Sequence, residues 1–188
     1  MAPVAVDLFR DFAPAPRRVL EIGCGLGTTA IWLARQGYVV AACDISRAAI
    51  ARAEERARRE GLPIEFFVAD VLGERPQVQP PDVVFTRGLL HTFADAWGRR
   101  ALVDAVADLL DEGRLWLDVS GSADQRGDPP AARLVGLPRL TATDIVEVVE
   151  PRFEIVAVRE ASYGTTRGLT DFRAFASAFR RRGSVERG

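Results

Sequence analysis

A glycine-rich segment is the part of the chain best suited to hold a ligand. Between Glu21 and Gly27, the residues Gly23, Gly25 and Gly27 alternate with other residues, after a predicted strand and before a predicted helix. Glycine lets the backbone turn sharply and lets a ligand lie against bare main chain at the N-terminus of a helix. A glycine triplet alone is weak evidence, so its meaning depends on residues further along the chain.

Two acidic residues end the two strands that are predicted next. Asp44 stands about 20 residues after the glycines, where a carboxylate holds ribose hydroxyls in nucleotide-binding folds. Asp70 ends the third predicted strand and can accept hydroxyl or exocyclic amine protons. The alternatives are a tight turn beside a surface carboxylate at Asp44 and a helix N-cap at Asp70. Thr28 occupies the third glycine position of the dinucleotide pattern G-x-G-x-x-G, which argues against a nicotinamide or flavin site.

The fourth predicted strand is followed by a cation and by the only histidine of the chain. Arg87 can grip a cofactor carboxylate or an anionic acceptor with two N–H donors, or it can form a salt bridge within the fold. His91 stands five residues past the strand and is a candidate general base, although a hydrogen-bonded structural role is equally open. Neither H-E-x-x-H nor paired C-x-x-C occurs, so no metal site is expected.

The elements that must position these residues alternate between short apolar strands and helices. Strands are predicted at 18–22, 39–43, 64–68, 82–86, 114–119 and 153–161, and helices at 27–36, 46–61, 97–110 and 141–149. This alternation predicts one α/β domain with a doubly wound, mostly parallel sheet and helices on both faces. Trp32 and Trp97 occupy helical positions and are expected in the core, with stacking against the acceptor as the alternative. Residues 171–180 fit a helix by the spacing of their phenylalanines.

Three segments resemble, in order and spacing, the motifs of class I S-adenosylmethionine-dependent methyltransferases: 19–27, 43–46 and 68–71. The resemblance implies a seven-stranded Rossmann-like sheet in which 171–180 is the final strand. It also implies S-adenosylmethionine as the cofactor and S-adenosylhomocysteine as the product.

The same resemblance implies a role for each candidate cofactor residue. The three glycines border the methionine part of the cofactor, and Glu21 supports its amino group or the glycine turn. Asp44, with Ile45 beside it, takes the ribose hydroxyls. Asp70 with Val71 recognises adenine.

Further segments are similar to the small thiopurine and tellurite-resistance methyltransferases, namely 86–93, 99–102, 110–115, 153–156 and the arginines at 180–182. That group commonly has Asp-Arg-Gly where this chain has Thr86-Arg87-Gly88. The likeness implies methyl transfer to a small-molecule acceptor, in the first place a thiol or another chalcogen nucleophile. The alternatives are an O-, N- or C-methyltransferase of secondary metabolism, a non-catalytic S-adenosylmethionine-binding protein and an NAD-dependent oxidoreductase.

Composition limits the classes of partner and of chemistry. The 188 residues are 48% hydrophobic and 27% charged, which suits one globular domain with a sizeable core. The net charge of −1 favours neither a nucleic-acid nor a membrane partner. All basic residues are arginine, which excludes lysine Schiff bases and the P-loop lysine. Asparagine is absent, which excludes the Asn-Pro-Pro-aromatic motif of methyltransferases that act on nucleic-acid amino groups and protein glutamines.

Residues 1–16 show no signal-peptide pattern, and no apolar run reaches about 18 residues, so a cytoplasmic location is expected. The presence of only two cysteines fits a reducing compartment. Four parts are expected within the single domain: an N-terminal cap at 1–16, a cofactor-binding half at 17–120, a lid-like loop at 121–138 and an acceptor-side half at 139–182. The sequence does not indicate an oligomeric state.

Overall fold

Seven strands and five α-helices form the described part of the fold, which in this computed structural model comprises residues 2–124, 139–163 and 173–183. The strands are β1 Arg18–Ile22, β2 Val39–Asp44, β3 Ile64–Val68, β4 Val83–Arg87, β5 Leu115–Gly121, β6 Phe153–Ser162 and β7 Arg173–Arg181. The helices are α1 Pro3–Phe12, α2 Thr28–Arg35, α3 Arg47–Arg59, α4 Ala96–Leu109 and α5 Ala142–Val149, with a 3₁₀ turn at Leu90–Thr92. None of these helices is long and apolar enough to cross a bilayer.

The strands are ordered β3-β2-β1-β4-β5-β7-β6 in one sheet. Strands β1 to β5 run parallel, whereas β7 lies between β5 and β6 and runs antiparallel to both. The expected single-domain, seven-stranded and mostly parallel Rossmann-like sheet is thereby confirmed. The strand order reverses between β1 and β4, and ligands bind at the carboxyl ends of the strands at such a point.

Helices cover both faces of the sheet because its strands are apolar on both sides. On one face, α1, α2 and α3 enclose a core in which the Phe9 ring packs against Trp32, Tyr38 and Phe85. The ring centroids there are 5.4 to 6.2 Å apart. On the other face, α4 and α5 cover a second core around the fully buried Trp116. The carboxyl edge of the sheet lies between these two layers.

The ambiguous segment near the C-terminal end forms strand β7, as the resemblance implied, and the helical spacing of its phenylalanines is misleading. Ala174, Ala176 and Ala178 belong to the first core, whereas Phe175 and Phe179 belong to the second. This alternation has the period of two that defines a strand buried on both faces.

Trp97 is not a core residue, contrary to the expectation, since 81% of its surface is exposed. The buried stripe of α4 begins at Gly98 and continues through Leu102 and Val106, so Trp97 falls outside it. Trp32, in contrast, is partly buried and packs against the first core as expected.

The expected lid-like loop at 121–138 lies mostly beyond the described part of the chain. Its first residue, Gly121, ends β5, and Ser122 forms a parallel bridge with Leu140. The two ends of the loop are therefore held together at the sheet edge. Residues 125–138 lie outside the described residues.

Candidate functional site

The turn between β1 and α2 presents bare main chain at the carboxyl edge of the sheet. Gly23, Gly25 and Gly27 have φ angles of 71°, 54° and 67°, a region that strains residues with side chains. The N–H groups of Gly23 and Cys24 both donate to the carbonyl of Cys43 at 2.9 Å, so β2 holds the turn in place. Apart from its chain neighbours, no heavy atom lies within 4 Å of where a Cβ of Gly25 would stand. A ligand can therefore approach the backbone there.

Asp44 fixes the glycine turn and the start of α3 at the same time. Its Oδ2 accepts the N–H of Gly25 at 2.8 Å, and its Oδ1 accepts the N–H of Ser46 at 2.8 Å. Each carboxylate oxygen has a second lone pair, so Asp44, which is only partly buried, can still accept ribose hydroxyls. The position suits the role that the resemblance implies.

A hollow of about 640 Å³ opens at the carboxyl ends of β2 and β3. Ile45, Phe67 and Asp70 are among the residues that line it, and the Ile45 side chain is 71% exposed. Oδ1 of Asp70 accepts the N–H of Leu72 at 3.0 Å. An apolar wall and a carboxylate suit a purine with an exocyclic amine. Val71 packs its side chain against the second core, so any contribution of Val71 to this hollow comes from its main chain.

Glu21 is buried in β1 behind the glycine turn. Burial raises the pKa of its carboxyl to about 7, while hydrogen bonds from Thr29 and Ala30 and the charge of Arg87 oppose the rise, and the like charge of Asp44 adds to it. Its Oε2 has no hydrogen-bond partner within the described ranges. A buried acceptor without a donor fits an added ammonium group, such as the amino group of S-adenosylmethionine. The residues of this edge therefore fit the cofactor.

The segment after β4 forms a wall beside the glycine turn. A Cβ at Gly23 would lie 3.6 Å from Leu89, so the two segments are in near contact. Arg87 ends β4, is partly buried, and forms no salt bridge to another described residue. His91 lies in the 3₁₀ turn with only 4% of its surface exposed, and its Nδ1 accepts the N–H of Gly121 at 2.9 Å. Both residues thus reach the sheet edge where the sequence predicted them.

The hydrogen bond from Gly121 does not support His91 as a general base. A neutral imidazole whose Nδ1 accepts a hydrogen bond carries its proton on Nε2, so neither nitrogen has a free lone pair. Burial lowers the pKa of His91, and the positive charge of Arg139 acts in the same direction. His91 is thereby arranged as an N–H donor rather than as a proton acceptor.

Tyr163 joins the wall, although nothing in the sequence singled it out. The Arg87 guanidinium carbon lies 5.6 Å from the centre of the Tyr163 ring, and the His91 ring meets that ring edge-on at 6.2 Å. The Tyr163 hydroxyl occupies the space that a Cβ of Gly88 would need. Burial raises the pKa of Tyr163; Arg87 opposes this, and Asp118 adds to it.

A buried polar network ties the end of β4 to β5. Asp118 lies opposite Thr86 in the sheet, and its two oxygens accept the hydroxyls of Thr86 and Ser120 at 2.6 Å each. The Trp116 Nε1–H donates to Thr86 Oγ1 at 2.8 Å. Burial raises the pKa of Asp118 to about 6, against the effect of these hydrogen bonds. The thiopurine and tellurite-resistance methyltransferases commonly have an aspartate where this chain has Thr86. In this chain the carboxylate comes from Asp118 of the neighbouring strand β5.

Arg56 of α3 braces the glycine turn from outside. Its Nη1 donates to the Leu26 carbonyl at 2.5 Å and to Thr28 Oγ1 at 3.3 Å. The charge pattern of α3 predicts a solvated face with i, i+4 pairs, and Glu55 does pair with Arg58 and Arg59. The role of Arg56 cannot be read from that pattern because it depends on how α3 packs beside α2.

The two cysteines near the turn are free and buried, and burial raises the pKa of both thiols. Cys24 and Cys43 therefore have the character of small packing residues rather than nucleophiles. Within the described ranges, no three His, Cys, Asp or Glu side chains are grouped to hold a metal ion.

Comparison with known proteins agrees with this geometry. The family described as "Methyltransferase domain" matches residues 19–113, which contain the glycine turn, Asp44, Asp70 and the wall after β4. A solved structure from work on the conversion of a disulfide bond into a thioacetal group during echinomycin biosynthesis is 30% identical to this chain. Its TM-score is 0.80, and the match covers 98% of this chain and 83% of that one.

Curated relatives differ in the acceptors that their names state. Ribosomal RNA small subunit methyltransferase C of Alcanivorax borkumensis is 31% identical over 105 residues, which is 54% of this chain and 32% of the relative. Ubiquinone biosynthesis O-methyltransferase of Xylella fastidiosa is 33% identical over 115 residues, which is 59% of this chain and 45% of the relative. The chain thus spans less than half the length of these two relatives.

Proposed function

The chain belongs to the methyltransferase-domain family, and on this premise we propose that it transfers the methyl group of S-adenosylmethionine to a small-molecule thiol or other chalcogen nucleophile. Family membership confirms the class I S-adenosylmethionine-dependent methyltransferase that the motifs indicated, and with it the cofactor. The narrower likeness to the thiopurine and tellurite-resistance group supports a sulfur acceptor and stays a proposal.

The proposal of a sulfur acceptor rests on the protonation states of the side chains in the wall after β4. Arg87 is a cation, His91 holds its proton on Nε2, and the raised pKa of Tyr163 keeps the phenol protonated. None of these three side chains is a free general base. A thiol, whose pKa is about 8.5, is partly ionised near neutral pH, whereas an alcohol is not. The 30% identical relative, whose structure comes from work on sulfur chemistry, supports the same acceptor class.

The residues of the chain have distinct tasks in this proposal. S-adenosylmethionine supplies a methyl group that a positively charged sulfur already activates. The protein then has to align the two reactants and exclude water rather than provide a catalytic triad. The glycine turn, Asp44 and Glu21 hold the methionine and ribose parts, and the hollow beside Asp70 takes adenine. Arg87 and His91 face the acceptor.

An O-methyltransferase is the second candidate, because the Xylella relative is named for that activity. It would need a proton acceptor for the hydroxyl, which the wall after β4 does not provide. The name of the Alcanivorax relative states ribosomal RNA as the acceptor. The net charge of −1 disfavours such an acceptor for this chain.

The test is an acceptor panel with release of S-adenosylhomocysteine as the readout. The purified chain receives S-adenosylmethionine with thiophenol, phenol, aniline or small-subunit ribosomal RNA, and calorimetry separately measures S-adenosylhomocysteine binding. We expect binding, and the fastest release with thiophenol. If S-adenosylhomocysteine is released only with phenol, aniline or RNA, the proposed sulfur acceptor is wrong and the acceptor belongs to that other class. Binding without any release would indicate the non-catalytic alternative, and no binding at millimolar ligand would contradict the function altogether.

A further inference from the structure

Arg56 of α3 forms hydrogen bonds on both sides of the residue that ends the glycine turn. Its Nη1 donates to the Leu26 carbonyl at 2.5 Å and to Thr28 Oγ1 at 3.3 Å. Gly27 lies between these two acceptors, has a φ angle of 67°, and is the N-cap of α2 without a side chain that could cap the helix. One guanidinium nitrogen therefore connects the end of the turn with the first residue of α2.

The close packing of α3 against the turn sets the position of Arg56. A Cβ at Gly27 would lie 3.0 Å from the Cβ of Ala53, so α3 lies directly against the main chain of the turn. Arg56 follows Ala53 by one turn of the helix, and residues at this spacing share one face. Arg56 is accordingly partly buried, whereas Arg58 in the same last turn of α3 is exposed and pairs with Glu55. The helix thus directs one arginine to the turn and another to solvent.

Strand β2 and helix α3 hold the turn by groups of opposite charge. Asp44, at the end of β2 and shortly before α3, accepts the N–H of Gly25 at 2.8 Å. Arg56, near the other end of α3, donates to the carbonyl of Leu26. Hydrogen bonds with one ionised partner are stronger than those between neutral groups. Two adjacent residues of the turn are therefore fixed from one continuous segment, 44–56, one by its N–H group and the other by its carbonyl.

A turn that contains three glycines needs such contacts if it is to bind a ligand through its main chain. Gly23, Gly25 and Gly27 all have positive φ angles, and free glycine residues populate many other backbone conformations. If the turn became ordered only when the ligand binds, the lost conformational entropy would lower the affinity, whereas a turn already held in its bound shape avoids this cost. The contacts of Arg56 involve protein groups alone, so they can order the turn before the cofactor binds.

We propose that Arg56 is a positioning residue that presets the glycine turn for the methionine part of S-adenosylmethionine. It acts through the Leu26 carbonyl and the Thr28 hydroxyl and does not itself contact the cofactor. The inference rests on the cofactor of the proposed function and is independent of the acceptor. The nucleoside part has its own proposed partners, Asp44 and Asp70, so the effect of Arg56 should be confined to the methionine part.

The first test separates the methionine part of the cofactor from its nucleoside part. Calorimetry measures the binding of S-adenosylhomocysteine and of 5′-methylthioadenosine, which has the same nucleoside and a thioether but lacks the amino-acid group. In Arg56→Ala the affinity for S-adenosylhomocysteine should fall about tenfold, because the turn then has to become ordered on binding. The affinity for 5′-methylthioadenosine should equal that of the wild type. A loss of fold stability alone would weaken both ligands alike.

Two further variants of α3 complete this test. Arg58→Ala is the matched control, because Arg58 lies in the same last turn of the helix and its guanidinium pairs with Glu55. Its affinities for both ligands should equal those of the wild type. Arg56→Lys keeps a charged donor with a slightly shorter reach, so it should regain part of the S-adenosylhomocysteine affinity that Arg56→Ala loses.

The second test measures the turn without any ligand. Hydrogen exchange of backbone N–H groups reports how often a segment opens. The N–H groups of Gly25 and Gly27 are bonded to Asp44 and to the Cys24 carbonyl, so both report opening of the turn. In Arg56→Ala they should exchange about tenfold faster than in the wild type, while the N–H groups within α3 should not change. In the control variant the turn should exchange as in the wild type.

Any of three results would overturn the inference: an unchanged S-adenosylhomocysteine affinity in Arg56→Ala, equal losses of affinity for the two ligands, or unchanged exchange of the turn. Equal losses would identify Arg56 as a residue that only stabilises the fold. Each result is read against a wild type that binds S-adenosylhomocysteine, so the proposed function stands when the inference fails. If the wild type binds neither ligand, the proposed function fails and the inference falls with it.

Discussion

At the residue scale, the proposed ribose-binding role of Asp44 is coupled to a structural one. Because its two oxygens hold Gly25 and Ser46, Asp44→Ala loosens the turn as well as removing the proposed ribose ligand. We expect the affinity for S-adenosylhomocysteine to fall about ten- to a hundredfold, measured by calorimetry. Asp82→Ala is the control, since Asp82 accepts the N–H of Arg18 at 2.9 Å at the opposite edge of the sheet. Equal losses in both variants would refute the ribose role.

If Glu21 holds the cofactor amino group as proposed, cofactor binding should depend on pH. With a pKa of about 7, its carboxyl is about half protonated at neutral pH. An ammonium group that binds beside it favours the carboxylate, so protons should leave the protein on binding, and affinity should rise as pH increases through 7. Calorimetry in two buffers of different ionisation enthalpy measures the release, which Glu21→Gln should abolish. Identical heats in both buffers for the wild type would contradict the role of Glu21.

The residues that the sequence could predict are those fixed by the end of a strand. Asp44, Asp70 and Arg87 follow parallel strands, whose carboxyl ends must meet at one edge, so spacing alone places them. Tyr163 follows β6, and its position depends on β7 lying between β5 and β6. Asp118 became visible only through its register with β4. Neither property is encoded in local spacing.

At the scale of elements, two glycines distinguish the effect of backbone strain from the effect of ligand contact. Gly25 and Gly61 both have positive φ and open space around an added Cβ, but only Gly25 lies at the site. Gly25→Ala and Gly61→Ala should therefore cost similar stability, about 1 to 2 kcal/mol each in urea unfolding. Only Gly25→Ala should weaken S-adenosylhomocysteine binding. A similar loss of binding in Gly61→Ala would show that strain alone accounts for the effect.

Gly27 differs because two elements close over it. An added Cβ would lie 3.0 Å from Ala53 of α3 and 3.0 Å from Phe66 of β3, in addition to the strain of its φ angle. Gly27→Ala should cost about 3 kcal/mol, more than Gly25→Ala, when both are unfolded in urea. Equal unfolding midpoints would mean that α3 and β3 move away from the added methyl group with no loss of stability.

Element types were predictable wherever periodicity and turn signals agreed, which covers β1 to β6 and helices α2 to α5, whereas helix α1 was not predicted. The phenylalanines of β7 misled because their spacing also satisfies a helix. The alanines between them, which allow α1 to pack, show the period of two only once both cores are known. The prediction that Trp97 lies in the core was wrong for a related reason. Neighbouring positions on a helix point in different directions, and the buried stripe of α4 begins one residue later, at Gly98.

At the scale of the whole molecule, Asp118 ties global stability to pH. Its pKa is raised from 3.8 to about 6 in the folded chain, so the folded state binds more protons than the unfolded state in that window. Stability should therefore fall as pH rises from about 4 to 6, by at most about 3 kcal/mol. Asp118→Asn should flatten this part of the unfolding profile. The exposed Asp111→Asn is the control and should run parallel to the wild type, and a parallel Asp118→Asn profile would contradict the assignment.

The position of β7 also sets an order of events during synthesis on the ribosome. Strand β6 pairs only with β7 within the described sheet, and β7 follows it along the chain. The first five strands can assemble as they emerge, but β6 must wait without a strand partner, its backbone groups bonded to water, while the outer edge of β5 stays open. A nascent chain halted before residue 173 would thus present two strand edges to its neighbours, the condition that promotes intermolecular pairing. The half of the sheet next to Tyr163 is consequently the half most exposed to such pairing before synthesis has passed β7.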